Sequence, residues 1–371
     1  MKLVICTNHS YPNFGGCEKV LQQLSEDFVS QYHCEVFVIS GSISKNFQYN
    51  GVSYVPLIRR SAGALAQQIN SYNADTLFVY SDNFESFMDF PKINDILYCK
   101  RKILSPVGFN RFVGREIFFR GFKKKCSDWI IAPHSYNYVD YQFAVDNGFE
   151  TRVIPYGMKL SEFVDAKPGI FSSTHNINKN KPILLYVANF FPDKGQENII
   201  RCYDELYDKG LDFLAVFIAS TTRFPSINVR TDAMMSMLKK KPYDVRLFKD
   251  ISRQDTVNAF ADADIFTFAS TKEVGPLVLL EAMAAKTPWV SLPVGIVPTL
   301  KGGCVVSAVE KNANGYFLFN KMVLSEYVKV ISNLLTDKKK CQEIGKEGYE
   351  HFNKFHVWEK ILPIYYRALM E

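Results

Sequence analysis

Ser270-Thr-Lys-Glu273-Val-Gly275-Pro-Leu-Val-Leu-Leu-Glu281-Ala-Met-Ala284 holds two glutamates with seven residues between them, directly after the apolar run Asp264-Ile-Phe-Thr-Phe-Ala-Ser270. The run reads as a buried strand, Gly275-Pro276 as a turn, and Leu279 to Ala285 has helix-forming composition. One carboxylate is then expected on the turn and the other about a turn inside the helix, both able to face a ligand at the helix N-terminus. Free N–H groups and the helix dipole favour a phosphate there. A sugar nucleotide is such a ligand, with phosphates for the N–H groups and hydroxyls at either end for the carboxylates. Two glutamates flanking an apolar run are common by themselves. What gives the spacing meaning is its company: the strand before, the Gly-Pro turn, the Glu-Ala-Met-Ala helix and Pro288-Trp-Val-Ser-Leu292 as the next strand.

Strand and helix patterns alternate along the whole chain. The first half reads as strands at Lys2–Thr7, Glu35–Ser40, Tyr54–Leu57, Thr76–Ser81, Lys102–Val107, Trp129–Pro133 and Arg152–Pro155. The second reads as Ile183–Asn189, Phe213–Ala219, Val245–Lys249, Ile265–Ser270 and Trp289–Pro293, with a weaker Cys304–Val306. This predicts an α/β protein with two parallel, doubly wound sheets. The polar stretch Ala166 to Lys181 has no periodic pattern and reads as a linker, dividing the chain into 1–166, a linker at 167–181 and 182–354.

A chain of 371 residues divides naturally into two domains of ordinary size, and 47% hydrophobic residues are enough for a core in each. Met1-Lys-Leu-Val-Ile-Cys-Thr-Asn8 reads as a strand and polar loop rather than a signal peptide, and no apolar run reaches the ~18–20 residues of a membrane span. A cytoplasmic protein is expected. The eight cysteines show no C-x-x-C and no Cys/His spacing for zinc, which argues against a disulfide framework and for a reducing compartment. Net charge is only +6, but Lys92, Lys100, Arg101, Lys102, Arg111, Arg115, Arg120, Lys123, Lys124 and Lys125 face only Asp95 and Glu116 within one segment. An anionic surface is implied there; no nucleic-acid partner is expected.

The Glu273 and Glu281 spacing in its strand-turn-helix setting resembles the E-x7-E signature of glycosyltransferase family 4, retaining enzymes of the GT-B fold. The resemblance implies two Rossmann-like domains facing across a cleft, an N-terminal one for the acceptor and a C-terminal one for the nucleotide-sugar. Val153-Ile-Pro-Tyr-Gly157 with Phe163 is similar to the segment that closes the first domain in that family. Phe355-His-Val-Trp358-Glu-Lys-Ile-Leu-Pro-Ile-Tyr365 resembles its last helix, so that 355–371 is expected to complete the first domain. By the same resemblance Glu281 binds the ribose hydroxyls and Glu273 those of the donor sugar. Pro276 has no N–H, so backbone donors there are expected from Gly275, Leu277 and Val278.

Lys194, in Tyr186-Val-Ala-Asn189-Phe-Phe-Pro-Asp-Lys194-Gly195, follows the first strand of the second half. An ammonium at a strand's C-terminal end suits a donor diphosphate, on which charge grows as the sugar leaves. The alternative is a solvated lysine starting a surface helix. Family members usually carry an arginine five residues before this lysine; Asn189 stands there and brings no charge. The first loop, Asn13-Phe-Gly15-Gly16-Cys-Glu18-Lys19, lets backbone approach a phosphate at the start of the next helix, unless Gly15 and Gly16 serve only as a turn. It is neither G-x-G-x-x-G nor a P-loop, which weakens dinucleotide and NTPase readings.

Many family members place a histidine after the fifth strand of the first domain. Ser105-Pro-Val-Gly108-Phe-Asn110 has none, and neither His9 nor His134 is a clean substitute. Asn110, or Asp82 in Tyr80-Ser-Asp82-Asn83, is a candidate for that role, though Asp82 also reads as an ordinary turn aspartate. Gly108, Asn110 and Arg111 are candidate acceptor contacts. In Arg111 to Lys125, Phe118 and Phe122 share a helical stripe with Arg111 and Arg115. With Lys123, Lys124 and Lys125 they suit either anionic headgroups or a pyrophosphate-linked acceptor, or else an ordinary core helix with a solvated basic face. Asp262-Ala-Asp264 imitates a D-x-D metal motif but precedes its strand, so no metal and no other cofactor is expected.

The resemblance implies a metal-independent retaining hexosyltransferase. It would use a nucleotide-sugar, in the first instance a UDP-sugar, to extend a sugar or lipid-linked glycan in bacterial surface polysaccharide or lipopolysaccharide synthesis. It would work in the cytoplasm or peripherally on the inner face of the plasma membrane. A nucleotide-sugar 2-epimerase of the same fold and a non-catalytic, membrane-docked partner in glycan assembly are the other readings. UDP-sugar alone separates the first two, since an epimerase interconverts sugars and a transferase only hydrolyses slowly.

Overall fold

The computed structural model describes the chain except for residues 14, 59–60, 82–88, 108–114, 136–138, 223 and 308–317, and the side chains of residues 81, 115, 116 and 139. Two compact units form, one from Met1–Tyr156 with Glu359–Glu371 and the other from Gly157–Trp358. The first runs β1 (Lys2–Thr7), α1 (Gly16–Tyr32), β2 (Glu35–Ser40), β3 (Phe47–Tyr49), β4 (Val52–Pro56), α2 (Ala62–Asn70), β5 (Thr76–Ser81), α3 (Phe90–Ile93), β6 (Arg101–Pro106), α4 (Arg115–Lys123), β7 (Ile130–Ile131), α5 (Val139–Asp146) and β8 (Glu150–Thr151). The second holds α6 (Ile170–Thr174), β9 (Ile183–Val187), α7 (Gln196–Asp208), β10 (Leu214–Ala219), α8 (Pro225–Leu238), β11 (Asp244–Lys249), α9 (Arg253–Asp262), β12 (Ile265–Phe268), α10 (Leu277–Ala284), β13 (Trp289–Ser291), β14 (Gly303–Val305), α11 (Lys321–Thr336) and α12 (Lys338–Phe355). The last helix, α13 (Trp358–Met370), belongs to the first unit from Glu359 onward.

Each unit is built on one sheet, in the orders β3-β4-β2-β1-β5-β6-β7-β8 and β11-β10-β9-β12-β13-β14. Every described pair is parallel except β3 with β4. Strands covered on both faces need continuous apolar runs rather than alternation. All of Leu214–Ala219 is buried, as is β1 from Leu3 to Thr7. The order reverses between β1 and β5 in one sheet and between β9 and β12 in the other. Loops at the C-terminal ends of such strands are where doubly wound sheets bind ligands.

One strand escapes the sequence reading. β3 pairs antiparallel with β4 through Asn50-Gly51, with Phe47 opposite Tyr54 and Tyr49 opposite Val52. Both turn residues have positive φ, 48° and 79°, which is what an Asn-Gly hairpin turn requires. The Phe47 and Tyr54 rings stack at 4.8 Å. The strand expected at Arg152–Pro155 falls earlier, at Glu150–Thr151. Beyond it, Arg152 N–H to Ile131 O at 2.9 Å and Ile154 N–H to Pro133 O at 2.9 Å continue the alignment as separate bonds.

Residues 167–181 are more than a linker. They hold α6, whose Phe171 is buried and whose first turn is capped from another helix. The Asp262 carboxylate at the end of α9 accepts from Gly169 N–H and Ser172 N–H and pairs with Lys179 at 2.7 Å. Burial pushes that carboxyl's pKa up, but these donors outweigh it and the net shift is downward. In the first unit Thr76 Oγ1 donates to Leu369 O at 3.0 Å, Arg152 Nη1 to Arg367 O at 3.0 Å, and Tyr366 stacks on Tyr32 at 4.0 Å.

Candidate functional site

After β9 the chain makes a short 3-10 turn, Pro192–Lys194, and Gly195 at φ 73° opens α7. A Cβ on Gly195 would lie 1.9 Å from Ala269 O, so the loop after β9 touches the end of β12 backbone to backbone. Cross-bonds lock the two loops: Thr271 N–H donates to Asp193 O at 2.8 Å and Ser270 Oγ to the same oxygen at 3.0 Å. This brings Lys194 Nζ to 2.6 Å from Glu273 Oε1, which also accepts from Ser270 Oγ at 2.7 Å. Both side chains are only partly exposed, Lys194 at 24% and Glu273 at 12%. Beneath them Tyr186 Oη donates to Lys194 O at 3.1 Å. Burial first, then the charges of Glu273 and Asp193, pushes that phenol far above its usual range and keeps it a donor.

The turn that carries Glu273 is braced from the far side. Ile296 N–H donates to Val274 O at 2.9 Å, and Gly295 at φ 53° leaves no room for a Cβ, which would meet the same oxygen at 2.2 Å. Gly275, Leu277 and Val278 are half-buried at the start of α10, whose N-cap is Pro276 with no side-chain cap bond. Asn189 is half-buried just past β9, its carbonyl accepting from Phe191 N–H at 2.8 Å.

Glu281 lies within α10 and is 6% exposed. Its Oε1 meets Arg253 Nη1 at 2.6 Å, while Arg253 Nε and Nη2 reach Glu162 Oε2 at 2.9 and 2.8 Å. Burial pulls the guanidinium's pKa down; the Glu281 and Glu162 carboxylates outweigh it, and the net shift is up. The structure thus joins Lys194 to Glu273 and ties Glu281 into a separate Glu-Arg-Glu cluster. Sequence reading named neither Arg253 nor Glu162. The available signal was a cation directly after the Ser252 N-cap, where the helix dipole disfavours positive charge.

In the first unit Gly15 is extended, at φ −178°, and N-caps α1, which begins at Gly16. A Cβ on Gly15 would meet Glu18 Oε2 at 2.3 Å, so this carboxylate folds back over the helix start. Asp82, Gly108, Asn110 and Arg111 lie outside the described residues, as does the side chain of Arg115.

His134 is a core residue, 3% exposed and stacked on Tyr156 at 4.0 Å. Its Nδ1 lies 2.7 Å from Ile154 O and its Nε2 3.2 Å from Ser105 Oγ. Burial lowers its pKa to about 4, only partly offset by the Ile154 bond. Being depressed below the ordinary ~6.5, it contributes stability that is fully present above about pH 6.5 and is lost as pH falls toward 4, where the unfolded chain takes up the proton first. Urea unfolding at pH 7.5 and 4.5 should show the wild type losing about 2 to 3 kcal/mol more than His134→Gln. Parallel losses would mean that the ring is not held neutral.

The proposed membrane aromatics are corrected by the structure. Phe118, Phe119 and Phe122 are at most 8% exposed and pack in the first unit's core, Phe122 against Trp129 at 5.4 Å and Phe118 at 5.2 Å. Packing of the aromatic edge, rather than the shared stripe with arginine, decides how α4 faces. Lys123 is half-buried and donates to Gly148 O at 2.7 Å, while Arg120, Lys124 and Lys125 are exposed beside Ile117, itself 77% exposed. Asp264 accepts from Ile183 N–H at 2.8 Å, so both carboxylates of the D-x-D imitation serve the framework.

Residues 170–351, within the second unit, match the family Glycosyl transferases group 1. The capsular polysaccharide biosynthesis glycosyltransferase CapM of Staphylococcus aureus is 24% identical over 58% of this chain and 54% of its own. The chain spans about half the length of the curated relatives it matches. Among solved structures, sucrose-phosphate synthase of Thermosynechococcus elongatus superposes with a TM-score of 0.78 at 16% identity, covering 99% of this chain and 98% of its own. HepE of Anabaena, in complex with UDP and glucose, superposes at 0.72 and 16% identity over 99% of each. These likenesses show the fold: α/β, with the two parallel-sheet domains of GT-B glycosyltransferases.

Proposed function

We propose that the chain is a retaining hexosyltransferase of the family 4, E-x7-E type, moving a sugar from a UDP-sugar onto a sugar or lipid-linked glycan acceptor in bacterial surface polysaccharide or lipopolysaccharide synthesis. The Lys194–Glu273 pair carries this reading, because it sits at the C-terminal ends of β9 and β12, the strands that flank the switch point. The second unit, Gly157–Trp358, takes the donor and the first, Met1–Tyr156 with Glu359–Glu371, the acceptor. Lys194 meets the charge that grows on the leaving diphosphate. Glu273 accepts from the donor sugar's hydroxyls and Glu281 from the ribose. Gly275, Leu277 and Val278 offer backbone N–H groups, as do Gly15 and Gly16, and Asn189 adds a neutral donor.

Retention follows when the leaving phosphate deprotonates the acceptor on the face it departs from, which calls for no protein nucleophile. No cofactor or metal ion enters the scheme. The relative named for capsular polysaccharide and the neighbour solved with UDP and glucose support the donor and pathway class. Among the described residues no helix is long and apolar enough to cross a membrane. The exposed Arg120, Lys124 and Lys125 support peripheral attachment to the inner face of an anionic membrane.

Calorimetry with UDP, GDP and ADP tests the nucleotide site. Glu281→Ala removes a charge-assisted acceptor and should weaken the preferred nucleotide by about 1.5–3 kcal/mol, or roughly 10- to 150-fold in Kd. A wild type that binds none of the three, or a variant that binds as well as wild type, overturns the assignment.

A further inference from the structure

The Glu-Arg-Glu cluster has no part in the Lys194–Glu273 pair, yet it costs the fold something. Arg253 occupies the first residue of α9, at the positive end of the helix dipole, where a cation is disfavoured. Glu281 is a nearly buried carboxylate, which needs a strong partner to stay in place. The guanidinium answers that need with a planar fork. One edge, Nη1, lies 2.6 Å from Glu281 Oε1; Nε and Nη2 hold Glu162 Oε2 at 2.9 and 2.8 Å. One planar guanidinium thus contacts both carboxylates at once, so its orientation links the two.

We propose that Arg253 is a positioning residue for nucleotide recognition, holding Glu281 in the rotamer that meets the ribose hydroxyls, with Glu162 holding Arg253 in turn. The inference rests on the ribose role of Glu281 given above. It adds a nucleotide-discriminating element that lies outside the Glu273–Glu281 spacing, and it explains why an arginine stands at the start of α9. A lysine there keeps the charge but loses the fork, so it can hold one carboxylate and not the pair.

The test compares UDP with 2′,3′-dideoxyuridine diphosphate, which keeps base and phosphates and lacks the ribose hydroxyls. Wild type should prefer UDP by about tenfold or more. Arg253→Met should reduce that preference to within about twofold while leaving the affinity for the dideoxy nucleotide unchanged; Arg253→Lys should fall between. A purely structural arginine would weaken both ligands alike and leave the preference intact, and that result overturns the proposal. Wild type that binds UDP without preference also overturns it, since the ribose is then not read. Wild type that binds neither nucleotide sinks the functional reading itself, a different failure. Glu162→Gln carries the same comparison without removing the arginine, should Arg253→Met not fold, and an unchanged preference in that variant counts against the proposal.

Discussion

Lys194→Ala should lower turnover by about 10²–10³-fold while raising the Kd for the donor only a few-fold, because removing one preorganised donor from a site of developing charge has an effect of that size. The ammonium does not search for its place. Gly195 lets the loop after β9 touch Ala269, the Asp193 carbonyl collects Thr271 and Ser270, and Glu273 Oε1 holds Nζ at 2.6 Å. Under the proposed function a donor diphosphate would meet a fixed charge in a partly buried setting, where electrostatic interactions are stronger than in water. Asn189 brings no second charge, which concentrates the effect on Lys194. Nucleotide release and donor binding, followed separately, check the split. Turnover within fivefold of wild type would remove Lys194 from the reaction, and equal losses in binding and turnover would make it a ground-state contact only.

The α/β class was legible because buried parallel strands leave a signature that needs no partner to be seen. Leu214–Ala219 or Leu3–Thr7 could hardly be anything else once the intervening helices are spaced as they are. The strand, turn and helix around Glu273 were legible for the same reason, each being a local pattern. β3 was not read although Asn50-Gly51 marks its turn, because Phe47-Gln-Tyr49 is too short to show a period. α6 was read as linker because what stabilises it is remote: Asp262 lies 90 residues from Ser172, and nothing inside Ile170–Thr174 announces a helix.

The candidate site divides along the same line. Lys194 and Glu273 were named from their own loops, and the structure adds that they touch. Arg253 and Glu162 are 91 residues apart and joined only by folding, so no window of sequence contains their relation. Orientation about a helix axis fails in sequence reading too, where charges and aromatics alternate. In α4 the basic residues suggested a surface, but a phenylalanine ring gains more from burial than a lysine loses by turning outward on its flexible stem.

That reversal sets up the second large effect. Phe122→Ala should destabilise the first unit by about 3–5 kcal/mol, the usual cost of truncating a buried aromatic together with the cavity left behind. Its ring is 2% exposed and meets Phe118 at 5.2 Å, Trp129 at 5.4 Å and Phe149 at 6.0 Å, so several neighbours lose contact at once. Lys124→Gln and Lys125→Gln, at exposed positions a few residues on, should stay within about 0.5 kcal/mol of wild type. Hydrogen exchange under increasing urea separates the two units: peptides from β6 and β7 should lose protection at lower urea in Phe122→Ala, while those from β12 and β13 hold. If Phe122→Ala behaves like the lysine variants, the aromatic edge of α4 faces outward and remains available to a membrane. If it behaves as expected, a membrane contact in this segment would fall to exposed Ile117, Arg120, Lys124 and Lys125, and the three cations would draw the protein to anionic lipid without opening its core.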